Sequence, residues 1–133
     1  MTYYFFNIDP IYKKICSNYE LFSFLKKIHL KNTDSSNAEF YYKQLTKRIN
    51  QKQINNEINK AFLNNRFYKQ TNLFHQYNNK YRDEIFTLKV CNNMLIYNAN
   101  FINKNLIKSI SDNLFFICNF DNQDYFWINE ISC

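Results

Sequence analysis

No glycine occurs anywhere in the 133 residues of this chain, and that absence constrains the fold more than any motif present. Glycine is the residue that enters the left-handed backbone region without a Cβ penalty. Turns that need a positive φ must therefore fall to asparagine or aspartate, whose short polar side chains tolerate that region best. The sequence supplies 23 asparagines against one proline, Pro10. Asn64-Asn65 is placed to end a helix, and Asn92-Asn93 to turn a hairpin.

The same absence removes several chemistries. A phosphate-cradling P-loop, a dinucleotide-binding G-x-G-x-x-G turn and a G-x-S-x-G nucleophile elbow all need residues without a Cβ. Nucleotide-driven enzymes and α/β-hydrolases are excluded in their usual forms, and no cofactor is expected.

Core material is unusual in kind. There are 14 Phe, 11 Tyr, 15 Ile and 10 Leu, but only three Ala and one Val, so large rings must fill the space that small side chains normally share. Residues with AT-rich codons (Phe, Tyr, Ile, Asn, Lys) are abundant, and those with GC-rich codons are scarce. This skew points to an AT-rich genome: an organelle, a parasite, a phage or virus, or a low-GC bacterium.

Length alone predicts a single domain over residues 1–133. No stretch approaches the roughly 18–20 apolar residues of a membrane span. The apolar start, Met1 to Phe6, lacks a positively charged flank, so no signal peptide is expected. Cys16, Cys91, Cys118 and Cys133 include no C-x-x-C pair, and His29 and His75 lie far from them in sequence. Free thiols in a reducing compartment (cytoplasm or organelle matrix) are expected, with no metal site.

Periodicity predicts an α+β fold, with two or three basic N-terminal helices packed on a C-terminal antiparallel sheet of about four strands. Residues 2–8 read as a short strand or an extended arm. Asp9-Pro10 is a helix start, with Asp as N-cap and Pro in the first turn. Ile11, Ile15, Tyr19, Phe22, Leu25 and Ile28 then recur at three- and four-residue steps, giving one helix over 10–31 that buries Ile11, Ile15, Phe22, Leu25 and Ile28. After a loop over 32–37, Ser36-x-x-Glu39 is a capping box for a second helix. Its apolar series is Phe40, Tyr41, Leu45, Ile49, Ile54, Ile58 and Phe62, with a kink or a new helix near Asn50. Phe67, Phe74, Tyr77 and Tyr81 continue as a third helix. Beyond residue 83 the texture becomes that of hairpins: Glu84–Val90 with Met94–Phe101, then Leu114–Phe120 with Tyr125–Glu130 around the turn Asp121-Asn122-Gln123. A short helix carrying Leu106, Ile107 and Ile110 joins the two hairpins.

Charge follows the same division. The net charge is +6, but residues 1–82 carry 14 Lys and Arg against 5 Asp and Glu, while residues 83–133 carry 3 against 6. Lys43, Lys47, Arg48 and Lys52 are spaced along the predicted second helix, and Lys60, Arg66 and Lys69 follow them. These seven residues are the predicted contact surface for nucleic acid or a nucleoprotein, with exposed tyrosines to stack on bases. Only three arginines are present, which argues against detailed base readout. A solvated helix face, or a surface for an acidic protein, is the competing reading. No membrane partner is expected.

Catalytic constellations are thin. His75, Tyr77, Tyr81 and Arg82 are the nearest thing to the acid–base set of a small metal-free ribonuclease or toxin, although a surface or boundary cluster explains them more simply. Asp121 with Asp124 and Asp83 with Glu84 read as turn and strand-entry residues. Cys91, Cys118 and Trp127 read as core. The expectation is a non-enzymatic binding protein acting on nucleic acid or a nucleoprotein, such as a phage- or mobile-element-encoded inhibitor of a host nucleoprotein machine. An organelle-encoded ribosomal protein binding rRNA is the alternative, and a ribonuclease the third reading.

Overall fold

The computed structural model describes residues 1–30 and 41–131. Seven strands form one antiparallel sheet: β1 (Thr2–Phe6), β2 (Tyr68–Thr71), β3 (Phe74–Asn79), β4 (Glu84–Val90), β5 (Met94–Ala99), β6 (Phe116–Asn119) and β7 (Asp124–Trp127), in the spatial order β2-β3-β4-β5-β1-β6-β7. Helices α1 (Pro10–Ile15) and α2 (Asn18–Leu30) follow β1, α3 (Gln51–Ala61) precedes β2, and α4 (Lys104–Ile110) joins β5 to β6. Residues 41–45 are also helical. The class is α+β, but the expected layout of N-terminal helices on a four-stranded C-terminal sheet is wrong. Among the described residues, three strands belong to the first 82, and two of them, β1 and β3, are interior.

β1 shows why. It pairs with β5 through Tyr3–Tyr97 and Phe5–Leu95, and with β6 through Tyr4–Cys118 and Phe6–Phe116. Its side chains alternate across the sheet, and both faces are covered. Tyr3 and Phe5 join one core with Ile54, Ile58 and Phe62 of the α3 region, Phe86, Leu88 and Val90 of β4, and Leu106, Ile107 and Ile110 of α4. Phe6 joins the other, with Leu21, Phe22 and Leu25 of α2, Phe116, Cys118 and Trp127. β6 is accordingly buried at all four positions.

The expected helix over 10–31 is two helices. Asp9 caps α1 by accepting from the Ile11 amide at 3.0 Å. Cys16 then turns extended (φ −110°, ψ 142°), and Ser17 with Glu20 forms a reciprocal capping box at 3.0 and 3.1 Å that opens α2. The break rotates the second stripe relative to the first. Phe22 and Leu25 are buried and Ile28 partly so, whereas Ile11 and Ile15 are 65% and 69% exposed. The predicted capping box at Ser36 and Glu39 and the loop before it lie outside the described residues.

Residues 46–50 are not helical. Thr46 bridges to Ile8, the Ile49 amide donates to the Asn92 carbonyl at 2.6 Å, and Asn50 caps α3 through the Gln53 amide at 3.1 Å. The chain thus crosses the end of the sheet and places α3 on the opposite face from α2. The expected third helix is the β2–β3 hairpin. Its three-and-four-residue apolar spacing is coincidental, since His75, Tyr77 and Asn79 are the inward-facing set. Among the described residues, the left-handed ones are Asn64, Asn72, Asp83 and Gln123, with φ between 53° and 66°. Asparagine and aspartate make three of the four, but Asn92 and Asn93 do not.

Candidate functional site

The seven cations singled out in the sequence are all exposed, but they do not share one helix. Lys43 lies in the helical turn 41–45, and Lys47 and Arg48 lie on the crossing segment beside Asn7, whose carbonyl accepts from the Lys47 amide at 2.7 Å. Lys52 and Lys60 sit two turns apart on the outer side of α3. There they line an open groove of about 350 Å³ with Asn50, Gln53, Asn56 and Glu57. Arg66 is in the turn after α3, and Lys69 is on β2, opposite Gln76. The set wraps around the molecule instead of forming one stripe.

The ribonuclease constellation is not assembled. His75 is fully buried, and its ring is held at both nitrogens: the Tyr68 hydroxyl lies 2.6 Å from Nδ1, and the Asn55 side-chain oxygen 2.8 Å from Nε2. The Asn55 amide nitrogen donates to the Asn72 carbonyl at 3.3 Å, so its oxygen must accept, which puts the proton on Nε2 and leaves Nδ1 to accept from Tyr68. The imidazole is neutral and satisfied. Burial pushes its pKa down to about 4. Tyr77 faces the core, while Tyr81 is 82% exposed and Arg82 exposed on the following turn.

Other reactive groups are likewise committed. Cys118 is enclosed, and burial holds its thiol protonated far above the usual range. Cys91 is half-buried, and burial raises its thiol too. Trp127 is buried and donates from its indole nitrogen to the Asn18 side chain at 3.0 Å. Tyr97 donates to the Phe101 carbonyl at 2.9 Å, and burial pushes its hydroxyl up to about 12. Asp121, Asp124 and Asp83 are exposed turn or strand-entry residues. Among the described residues no cluster of His, Cys, Asp and Glu is placed to hold a metal ion. A void in the core between Tyr3, Phe5, Tyr97 and Phe126 measures about 10 Å³, far below a small-molecule site. Among the described residues no helix is long and apolar enough to cross a membrane.

What the sequence reading missed is an outward apolar series. α1 buries none of its residues. Ile11 and Ile15 stand one turn apart on its outer side, and Tyr19, in the first turn of α2, is 66% exposed. Lys14 is exposed between them, and Lys13 folds back to lie 5.1 Å over the Trp127 ring. The signal was available: Ser17-x-x-Glu20 marks a new helix start that disconnects Ile11 and Ile15 from the Phe22–Leu25 stripe. A search of family models finds no match to this chain, and no curated protein matches it.

Proposed function

We propose that this chain is a non-catalytic binding protein that acts by occlusion on a protein component of a nucleoprotein machine, using the outer face of α1 and the start of α2. The exposure of Ile11, Ile15 and Tyr19 carries this reading. A six-residue helix with no buried side chain adds little to the core, yet it spends two isoleucines on solvent. Apolar anchors ringed by polar groups are how protein interfaces concentrate affinity. The flanking Lys13 and Lys14 suit a partner surface that is apolar at its centre and carboxylate-rich at its rim. The enclosed His75 and Cys118 support a role in binding over one in catalysis. The free thiols Cys16, Cys91 and Cys118 suit a reducing compartment. A compact domain of this kind fits an inhibitor encoded by a phage or mobile element.

The test is affinity capture from the native host after nuclease treatment, at two salt concentrations. Wild type should retain a protein of a nucleic-acid-handling complex, and Ile15→Asp should weaken that capture by at least about tenfold. Replacing Lys43, Lys47, Arg48 and Lys52 with Gln should leave most of it. If capture survives Ile11→Asp with Ile15→Asp but is lost on nuclease treatment or with the Lys/Arg replacements, the proposal fails in favour of direct nucleic-acid binding. Co-sedimentation with ribosomes would then select the rRNA-binding alternative.

A further inference from the structure

A second surface lies toward the other edge of the sheet, where α3 ends and β3 turns into β4. Asn64, left-handed at φ 66°, ends the α3 region, and the Asn65 side chain accepts from the Phe67 amide at 2.9 Å. The Phe67 carbonyl then accepts from the Asn78 amide at 3.0 Å, tying this turn to β3. The β3–β4 turn is pinned in the same way. Asn79 is buried, and its side-chain oxygen accepts from the Tyr81 amide at 3.1 Å. Left-handed Asp83 completes the turn, its carbonyl accepting from the Asn100 side chain at 2.6 Å.

These two fixed turns hold Tyr81 outward. Phe67 meets its ring edge-on, at 6.1 Å between centroids and 66° between planes. The Arg66 guanidinium lies 4.8 Å from the Phe67 ring centre and 5.6 Å from that of Tyr81. Tyr81 is nevertheless 82% exposed, so the ring face opposite the guanidinium is open. Exposed Lys80 and Arg82 flank it in sequence. An exposed tyrosine in water is ordinary. One braced by a buried asparagine, an orthogonal ring and a stacked guanidinium, and bracketed by cations, is preorganised to receive something flat and anionic.

We propose that this tip binds single-stranded nucleic acid, with a base stacked on Tyr81 and neighbouring phosphates held by Arg66, Lys80 and Arg82. A single strand is required because the base faces of a duplex are already covered by their neighbours, whereas an unpaired base offers its π-face to a ring. The surface is remote from the α1 stripe: Lys13 of α1 lies over Trp127 of β7, and β3 and β7 are five positions apart in the sheet, about 24 Å at the usual strand spacing. The two surfaces can be occupied together.

The experiment is fluorescence anisotropy of the whole chain with labelled mixed-sequence 12-nucleotide RNA and DNA, each single-stranded and as a duplex, from about 50 to 200 mM salt. Single strands should bind tighter than duplexes. Tyr81→Ala should weaken binding by about 5- to 150-fold, and Tyr81→Trp should restore it. Lys80→Gln with Arg82→Gln should flatten the salt slope by about 1.4. Thermal melts verify that the variants are folded, and Ile15→Asp, which tests the protein-binding face, should bind the oligonucleotide as wild type does. The proposal is overturned by no binding at the lowest salt, by equal affinity for duplex, by an unchanged Tyr81→Ala, or by losses confined to substitution of Lys43, Lys47, Arg48 and Lys52.

Discussion

Lowering the pH should cost this protein stability through one buried residue, His75. Its neutral imidazole has one role for each nitrogen, Nδ1 accepting from Tyr68 and Nε2 donating to Asn55. A second proton would remove the acceptor that the Tyr68 hydroxyl uses and place a charge in an enclosed site. The folded-state pKa of about 4 lies below the unfolded value of about 6.5. The unfolded chain therefore takes up the proton first as pH falls. The contribution is fully present above about pH 6.5, is lost progressively below it, and is gone by about pH 4. The interval of about 2.5 pH units sets an upper limit of about 3 kcal/mol at 1.36 kcal/mol per unit. Urea unfolding from pH 4 to 7.5, followed by the fluorescence of buried Trp127, measures it. Carboxylates titrate in the same range, so the quantity to compare is wild type minus His75→Gln. That variant should be less stable at pH 7, because the Tyr68 hydroxyl or the Asn55 oxygen loses its partner at about 1–3 kcal/mol. Its deficit should narrow steadily on acidification. A deficit constant from pH 7.5 to 4 would refute the assigned tautomer and the enclosure of the ring.

Two smaller effects follow from local geometry. Ser17→Ala removes the hydroxyl that accepts from the Glu20 amide and should destabilise the chain by about 1 kcal/mol, with loss of α2 helicity in far-UV circular dichroism; no change would mean that α2 is set by packing alone. Gln123 holds φ at 54° in the β6–β7 turn without the local hydrogen bonding that reconciles asparagine to that region, so Gln123→Gly should raise the urea midpoint by about 0.5–1 kcal/mol in stability, whereas a lowered midpoint would mean that the turn is unstrained.

What the sequence discloses about this fold follows how local the determining interactions are. The β4–β5 and β6–β7 hairpins and α4 are readable because each carries its own pattern: Phe86, Leu88 and Val90 alternate, and Leu106, Ile107 and Ile110 repeat on one helical face. The β2–β3 hairpin is hidden because its inward positions include His75 and Asn79, buried polar groups that spoil the alternation. Position 75 is satisfied only by Tyr68 and Asn55, the latter 20 residues away and on another element. β1 gives no hint of being central, since its partners lie about 90 to 110 residues downstream. For the candidate surfaces, the cations were readable as exposed but not as dispersed. The apolar stripe of α1 reads as core in the sequence because Ile11 and Ile15 keep step with Phe22 and Leu25 across a break that the Ser17–Glu20 box announces.

The interior position of β1 has a consequence for how the chain comes into being. Thr2–Phe6 is made before its partners, residues 94–98 and 116–118, which follow about 90 to 110 residues later. At about 5–20 residues per second, the gap is on the order of 5–20 s during synthesis. For that time Tyr3-Tyr4-Phe5-Phe6, a short uncharged segment of high β-propensity, has neither of its neighbours. The meander β2–β5 can form without it by adjacent hairpins, and so can β6–β7. Within the sheet the two pieces are joined by pairing through β1. Closure of the sheet is thus a late event of high contact order. The nascent protein's exposure to misassembly is set by how long β1 waits for its two neighbours.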